Sequence, residues 1–300
     1  MRKILFFLCL ISFVTGPVLG QDQVYKPLPS ENALLWKISG NGLQTPSYLY
    51  GTIHMIDKDD FFLTDSTRAA IEGAEKVVFE IDMADMNNIM TQLGLLKDAM
   101  MKDNLTLRDL ISEEDYALVK KHFANMGLPL IFFERMKPMF LSMFAEMDFS
   151  QALGSGEMVS YEMEIMSLAE AGKKETGGLE TAEYQMSLFD SIPYTDQAEM
   201  LVEAIKSHDP DAGEADFDKM VEMYKAQDVA GMAEMMSGDD SIGSYEDILL
   251  HQRNRNWIPV MEKMMTEKPC FFAVGAGHLG GEIGVIALLR QAGYTVEPVR

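Results

Sequence analysis

Segments typical of β-strands lie near both ends of this chain, and a long stretch typical of helices separates them. The N-terminal segments LLWKI, YLYGTIH and KVVFEID begin at residues 34, 48 and 76, and the C-terminal ones cover residues 270–275 and 294–299. The first two segments, joined by SGNGLQTPS, predict a hairpin. KVVFEID is continuously apolar around one glutamate, which is typical of a strand buried on both faces of a parallel or mixed sheet. Because a stable sheet needs several strands, we expect both ends of the chain to meet in it.

Between residue 86 and about residue 266 the sequence predicts helices almost throughout. Ser112 followed by Asp115 is typical of a capping box, and Gly127 marks the end of that helix. A stretch of ~180 residues is far longer than a connection between strands requires. We therefore predict an α/β fold with a mixed central sheet built from both termini and a large α-helical insertion, or cap. In this single domain of residues 21–300, the sheet core covers 33–82 and 268–300 and the cap about 86–266, with further helices at 131–147, 157–171, 181–190, 196–207, 214–226 and 244–265.

The first twenty residues have the layout of a secretory signal peptide. Arg2 and Lys3 precede an apolar run, and Gly16-Pro17 and small residues follow it. The run is short for a membrane span, although an uncleaved anchor is the alternative interpretation. We expect cleavage near Gly20 and export to a periplasm or beyond the cell. No later segment is long and apolar enough to cross a membrane, so we expect no stable membrane insertion.

The charge of the chain restricts the partners that it can bind, and its cysteine content restricts the disulfide bonds that it can form. The chain has 25 basic and 47 acidic residues, a formal net charge of −22. Such a charge repels nucleic acid and anionic membrane surfaces, which both require basic patches, so nucleic acid is excluded as a partner. Loss of the signal peptide would remove Cys9 and leave Cys270 alone, so no internal disulfide is expected.

Methionine is unusually common, with 25 residues, most of them in the predicted cap. The simplest interpretation is adaptable packing in the core. A plastic surface that grips apolar ligands or extended peptides is the second interpretation, and copper binding by thioethers is the third.

A Gly-x-x-His motif follows a predicted strand twice, at Gly51–His54 and at Gly275–His278. A glycine at a strand end permits a sharp turn or the close approach of another group. Ligands of open α/β sheets bind just outside the carboxyl ends of the strands. If the two strands are neighbours, both histidines therefore face one cleft. Among the other histidines, His251 lies within a predicted helix, and this position is compatible with either a functional or a structural role.

Glu80 lies near the end of a third predicted strand. A carboxylate in an apolar strand is costly unless it is paired or bound to a cation. Together with His54 and His278 it would give two imidazoles and one carboxylate, a common ligand set for a catalytic divalent metal. The alternative is two unrelated strand-end histidines and an ion-paired glutamate. This alternative stays open because no compact motif such as H-E-x-x-H is present.

Residues 275–280 also match the pattern G-x-G-x-x-G, follow a strand and precede a predicted helix. A dinucleotide-binding fold requires further β-α units after this motif, and only about twenty residues follow it here. We therefore reject nucleotide binding by this segment.

The segments YLYGTIH, VVFEID, GGLET, RNRNW and AVGAGHLGG, with the C-terminal LLRQAGYTVEPV, resemble the TraB/PrgY/GumN family. This family includes the TIKI metalloproteases and is related in fold to the erythromycin esterase and ChaN groups. The resemblance covers residues 33–300 and depends mainly on the two Gly-x-x-His motifs and their flanks.

The resemblance implies an α/β core with a helical cap and a metal-dependent hydrolase site. His54 and His278 match the motif histidines, and Glu80 matches the glutamate on the intervening strand. Arg253 and Asn254 match an Arg-Asn pair of the last cap helix, which would face the substrate or a developing oxyanion. Gly51, Gly275 and Glu180 are assigned to substrate binding or to positioning the site. The segment KKETGGLET is more polar and richer in glycine than the apolar strand expected before Glu180, so we expect that region to be repositioned.

We therefore predict an exported metal-dependent hydrolase that cleaves a peptide or a small-molecule substrate. His54, Glu80 and His278 would bind Mn, Co or Zn, and Arg253 would stabilise the charge that develops. One alternative is a metal-free hydrolase in which a histidine–glutamate pair activates water on an ester or amide. The other is a non-enzymatic binding or sequestering protein that uses the cap. The sequence indicates no oligomeric state.

Overall fold

Eight strands and eleven helices lie within residues 25–83, 88–146, 158–207, 210–237 and 245–300, which are the residues that the computed structural model describes. Six strands form the central sheet, and two short ones pair separately. The strands are β1 (Leu35–Gly40), β2 (Ser47–Thr52), β3 (Ile56–Asp57), β4 (Lys76–Ile81), β5 (Met158–Val159), β6 (Glu175–Glu180), β7 (Cys270–Gly275) and β8 (Tyr294–Val299).

The central sheet has the strand order β6–β4–β7–β2–β1–β8. Strands β6, β4, β7 and β2 are parallel, whereas β1 is antiparallel to both of its neighbours. This arrangement confirms the predicted α/β class and the mixed sheet to which both ends of the chain contribute. Strands β1 and β2 form the predicted hairpin, with Leu35 opposite Tyr50. Strands β2 and β7, which precede the two Gly-x-x-His motifs, are neighbours.

Strand β6 lies within the range predicted for the cap, between the helices predicted at 157–171 and 181–190, and it extends the central sheet beyond the predicted core of 33–82 and 268–300. The strand lies at the edge of the sheet and pairs only with β4. An edge strand needs no continuous apolar run, and after the exposed Glu175 the residues of β6 alternate between partly buried and buried positions. Its polar, glycine-rich sequence is therefore compatible with an edge strand, whose carboxyl end is Glu180. Strand β5 is a second, shorter exception within the predicted cap.

The helices that precede β6 begin at the expected signals. Thr64 caps the first helix, and the Ser112 side chain accepts a hydrogen bond from the Asp115 N–H at the start of the third. Pro138 is the first residue of the fourth, where its missing N–H costs nothing. These helices are α1 (Asp65–Gly73), α2 (Ile89–Asp98), α3 (Glu113–Asn125), α4 (Pro138–Glu146) and α5 (Tyr161–Ala171).

The remaining helices lie after β6, and one of them contains Pro259 in its interior. A π-helical turn, Asp247–His251, leads directly into this helix, and a short 3₁₀ turn, Ala276–His278, follows β7. These helices are α6 (Ala182–Leu188), α7 (Tyr194–Ser207), α8 (Pro210–Lys225), α9 (Val229–Ser237), α10 (Gln252–Glu267) and α11 (Val285–Gln291).

Buried apolar side chains form two clusters. The larger one covers the sheet and contains both tryptophans, Trp36 and Trp257. The second lies within the predicted cap, where Tyr116 and Phe123 of α3 pack with Leu201 of α7. Apolar burial of this kind is the main stabilising contribution to the fold. Methionines occur in both clusters, as the packing interpretation predicts: Met232, Met261 and Met265 in the first and Met136 in the second.

In the ranges described above, no helix is both long and apolar enough to span a membrane. Cys270 is buried and free, and burial raises the pKa of its thiol to about 11. The predicted signal peptide, residues 1–20, and His208 lie outside the described residues, so the prediction of export stays a prediction.

Candidate active site

The carboxyl ends of the four parallel strands lie side by side, and this end of the sheet is called the sheet edge below, as distinct from the edge strands. Thr52 at the end of β2 is paired with Gly275 at the end of β7, and Ile81 of β4 is paired with Glu180 of β6. Phe79, which precedes Glu80, is paired with Ala273. The sheet therefore carries His54, Glu80, Glu180 and His278 to the edge at which α/β proteins bind their ligands.

The glycines of the two motifs permit close approach and do not form sharp turns. A Cβ atom at Gly51 would lie 2.7 Å from Leu279 Cδ1 and 3.1 Å from Ala276. The absence of a side chain at Gly51 thus lets the turn that carries His278 pack directly on β2. A Cβ atom at Gly275 would lie 3.3 Å from Glu80 Oε1. Both glycines act through the packing of neighbouring groups of the site.

Glu80 is a partly buried carboxylate whose two oxygens both accept hydrogen bonds. Its Oε1 accepts the N–H of Gly275 at 2.8 Å, and its Oε2 accepts from Arg253 Nη2 and, at 3.2 Å, from Gln185 Nε2. Burial alone would raise the pKa of Glu80, but three effects outweigh it and lower the pKa to about 2: the charge of His278, which is protonated at the acidic pH where Glu80 titrates, the charge of Arg253, and the Gly275 N–H. Glu80 is therefore ionised at neutral pH.

Arg253, in the first turn of α10, joins the two glutamates of the sheet edge. Besides Glu80, its guanidinium donates from Nε to Glu180 Oε1 at 2.9 Å. The other oxygen of Glu180 accepts from Trp257 Nε1 at 2.9 Å, and the guanidinium lies 4.9 Å from the centre of the Trp257 ring. Two carboxylates and one aromatic face thus hold a buried cation, which satisfies the requirement that buried charges be paired.

His278 is buried, and both of its ring nitrogens have partners. Nδ1 lies 2.6 Å from Asn254 Oδ1, and Nε2 lies 3.1 Å from Arg253 Nη1 and 3.8 Å from Glu80 Oε1. A guanidinium can only donate, so Nε2 accepts and the proton of the neutral ring is on Nδ1. Burial lowers the pKa of His278 to about 4; the neighbouring Arg253 acts in the same direction and Glu80 in the opposite one.

His54 lies at the rim of the site, where 81% of its side chain is exposed. Its Nδ1 is 3.2 Å from Glu162 Oε1, and this hydrogen bond raises the pKa of His54. The charge of His54 also lowers the pKa of Glu80, as the last of several contributions. The two motif histidines therefore differ: His278 is buried and neutral, whereas His54 is exposed and more easily protonated.

A cavity of about 200 Å³ adjoins the network on the side of Asn254 and Gly277. His251 lines this cavity, and its Nε2 lies 3.5 Å from Glu246 Oε1. When protonated, His251 would disfavour protonation of His278. His251 therefore lines the cavity beside the network.

The structure brings five of the candidate side chains into one hydrogen-bonded network, to which the N–H of Gly275 also donates, and leaves His54 at its rim. The sequence did not single out Gln185, Trp257 or Glu162, which reach the strand edge from helices. Only Trp257 had a local signal, because it lies in the segment RNRNW three residues after Asn254. Among the described residues, no three His, Cys, Asp or Glu side chains are grouped closely enough to hold a metal ion. The network consists of Glu80, Glu180, Arg253, Asn254 and His278.

A comparison with protein-family profiles gives a match that spans the whole site. The profile of the TraB/PrgY/gumN family matches residues 34–298, which include every residue of the network. The chain belongs to this family. The match begins just before β1 and ends within β8.

Individual relatives of this family member are distant. They include metalloprotease TIKI1 of Danio rerio (23% identical, over 90% of this chain and 64% of the relative), metalloprotease TIKI1 of Homo sapiens (24%, 91% and 63%) and metalloprotease TIKI2 of Xenopus tropicalis (24%, 97% and 66%). The chain thus spans less than two thirds of the length of these relatives. No solved structure matches the chain significantly.

Proposed function

We propose that this member of the TraB/PrgY/gumN family is a metalloprotease-like hydrolase that cleaves an amide bond in a peptide. The observation that carries the proposal is that Glu80 and His278, at the ends of adjacent parallel strands, share the buried guanidinium of Arg253. Similarity to the TIKI metalloproteases supports the class of reaction. Small molecules with a hydrolysable carbonyl are the alternative substrates, and nucleic acid is not proposed as a partner because the chain is strongly acidic.

The side chains at the sheet edge have the donor chemistry of a divalent-metal site. His278 presents an unprotonated Nε2, and Glu80 is ionised with its Oε1 3.8 Å from that nitrogen. With His54 they would form a set of two imidazoles and one carboxylate, which suits Zn, Mn or Co. These residue types therefore suit a divalent ion chemically. Their positions do not form a closed site, since no three of the described His, Cys, Asp or Glu side chains are grouped closely enough to hold an ion. A bound ion would supply a water of lowered pKa and polarise the substrate carbonyl.

The other residues of the network would orient and stabilise the reacting groups. Asn254 fixes the ring of His278 through Nδ1. Arg253, held by Glu180 and Trp257, is a preorganised positive charge that would stabilise the negative charge on the carbonyl oxygen in the transition state. Its contacts on three sides keep the guanidinium in place, so little reorganisation would be required during the reaction.

Metal-free hydrolysis is the second candidate, and the position of Arg253 favours it. The guanidinium already contacts both Glu80 and His278 and neutralises the carboxylate that an ion would bind. His54, paired with Glu162 at the exposed rim, would then act as the general base for water and later protonate the leaving amine. In this scheme Arg253 alone stabilises the developing oxyanion.

Hydrolysis assays with and without metal would separate the two candidates. The purified chain would be treated with a chelator, reloaded with Zn, Mn or Co, and assayed on a fluorogenic peptide library. Metal-dependent cleavage that is lost in His54→Ala and His278→Ala, but kept in the control His122→Ala, supports the first candidate. Cleavage that survives chelation supports the second. Full activity of both variants would contradict both candidates. Tight peptide binding that is unchanged in both histidine variants would support a sequestering protein.

We also propose that the protein works outside the cytoplasm after cleavage near Gly20. The basic start, the apolar run and the Gly-Pro break of residues 1–20 support this location. N-terminal sequencing of the protein from a periplasmic or culture-medium fraction would test it. A mature chain that begins near Gln21 is expected, and a full-length cytoplasmic chain would contradict the proposal.

A further inference from the structure

Glu162 contacts the end of strand β2 from the first turn of α5. Its Oε1 accepts a hydrogen bond from Thr52 Oγ1 at 2.8 Å and lies 3.2 Å from His54 Nδ1. Its Oε2 accepts from the Oγ of Ser160, the residue that caps the helix, at 3.2 Å. Only 16% of the Glu162 side chain is exposed. The carboxylate is thus fixed at three points, one of which is a histidine of the proposed site.

The backbone holds Glu162 and His54 together independently of this contact. Strand β3, which begins two residues after His54, pairs with β5, which ends three residues before Glu162. Near this pairing in the chain, the buried Tyr161 hydroxyl donates to the carbonyl of Phe62 at 3.0 Å. The two chain segments are therefore attached to each other at two places besides the His54–Glu162 contact. An isolated surface ion pair has no such support.

The two motif histidines are held in the same manner. In each, a side-chain oxygen from the cap lies at hydrogen-bond distance from Nδ1: Asn254 Oδ1 for His278 and Glu162 Oε1 for His54. A carboxylate at one ring nitrogen fixes the tautomer and directs the other nitrogen, which is how working histidines are commonly oriented. Sequence offers no sign of this symmetry, because the two oxygens come from unrelated segments.

We infer that Glu162 is the positioning residue of His54. Its carboxylate accepts a hydrogen bond from the Nδ1–H of the ring. Nε2 therefore carries no proton and is free for the reaction at the sheet edge. The inference rests on the proposed function only in that it treats His54 as a residue of the site. It applies equally to metal-dependent and metal-free hydrolysis, since both require a free Nε2.

The test measures the tautomer of His54 directly, by ¹⁵N NMR of the histidine-labelled full chain above the pKa of the ring. The wild type is expected to carry the proton on Nδ1. Glu162→Ala is expected to move it largely to Nε2, and Glu164→Ala, an exposed glutamate of the same helix, is expected to change nothing. An unchanged tautomer in Glu162→Ala would overturn the inference and leave only a surface ion pair.

Two further variants keep the test decisive. If Glu162→Ala does not fold, Glu162→Asp replaces it, because it keeps the charge at the helix start but is one methylene too short to reach Nδ1. Glu162→Gln keeps an oxygen acceptor and is expected to retain the wild-type tautomer. Where turnover is measurable, Glu162→Ala should lower kcat by about 10- to 100-fold at similar KM, the size expected for loss of such an orienting partner. The tautomer is read without turnover, so absence of hydrolysis would count against the proposed function and not against this inference.

Discussion

Asn254 Oδ1 lies 2.6 Å from Nδ1 of His278, and this contact determines which ring nitrogen is free. The other end of the amide donates to the carbonyl of Ile283 at 2.9 Å, so the amide cannot reverse without losing a hydrogen bond. His278 therefore carries its proton on Nδ1 and directs a lone pair toward Arg253 and Glu80. A neutral partner thus holds a neutral, buried imidazole.

Replacing this amide by a carboxylate should change the charge of His278. In Asn254→Asp, an anion beside Nδ1 would favour the imidazolium, so the pKa of His278 is expected to rise above its wild-type value of about 4. A pH titration of the His278 ring by NMR measures the shift. Asn256→Asp, at an exposed position of the same helix, is the control. A pKa that does not change on Asn254→Asp would show that Asn254 does not contact Nδ1 in solution.

The buried imidazole should make the free energy of unfolding depend on pH. The pKa of His278 is about 4 in the folded state and lies near 6.5 in the unfolded state, so between these pH values only the unfolded chain binds the proton. The resulting stabilisation is complete above pH 6.5 and is lost as pH falls toward 4, by about 3 kcal/mol. Urea denaturation from pH 7 to pH 4 measures this slope.

His278→Gln is the control for that experiment, since it should flatten the profile between pH 6.5 and pH 4. Glu80, whose folded pKa is about 2 against 4.5 when unfolded, contributes a separate loss only as pH falls below 4.5. An equal slope in His278→Gln and wild type between pH 6.5 and 4.5 would mean that another group is responsible.

Gly51 should not tolerate even a methyl group. In Gly51→Ala the new Cβ would overlap Leu279 Cδ1 at 2.7 Å and press on Ala276, which displaces the turn that carries His278. We expect a loss of about 1–3 kcal/mol in unfolding free energy, typical of overpacking. Gly73→Ala, where no atom lies within 4 Å of the added Cβ, should be neutral or slightly stabilising. Equal stability of the two variants would contradict the close packing of β2 on the turn.

Arg253 should be essential for the stability of the network. In Arg253→Met, Glu80 and Glu180 would remain as buried carboxylates without their cation. Removing one partner of a buried ion pair typically costs about 3–5 kcal/mol. Arg255→Met, which removes an exposed guanidinium two residues away, should stay within about 0.5 kcal/mol of wild type. Thermal and urea denaturation measure both variants, and a loss below about 1 kcal/mol for Arg253→Met would contradict the assigned pairing.

The parts of the site that local sequence determines were predictable. A glycine and a histidine after each of two apolar strands, and a glutamate within a third, indicated the sheet edge because the carboxyl ends of parallel strands lie together. The six-residue strand β6 was missed because an edge strand needs little apolar character. Its sequence, KKETGGLET, gives no periodicity that separates it from a loop.

The remaining parts of the site depend on tertiary packing. Glu162 and Gln185 reach the strand edge from helices α5 and α6, and nothing in their local sequence distinguishes them from solvated glutamates and glutamines. The position of Arg253 between Glu80 and His278 was equally unpredictable, because it depends on how α10 packs against the sheet. Sequence thus indicated the residues on the strands but not the side chains that orient them.

Metal analysis of the purified chain would show directly whether His54, Glu80 and His278 bind one divalent ion at the sheet edge. Wild type, His54→Ala, His278→Ala and the control His122→Ala would be loaded with Zn, Mn or Co, dialysed and analysed by mass spectrometry. About one ion per chain is expected, retained in the control and lost in both site variants. A wild type that retains no ion after loading with any of the three metals would contradict a metal site at these residues.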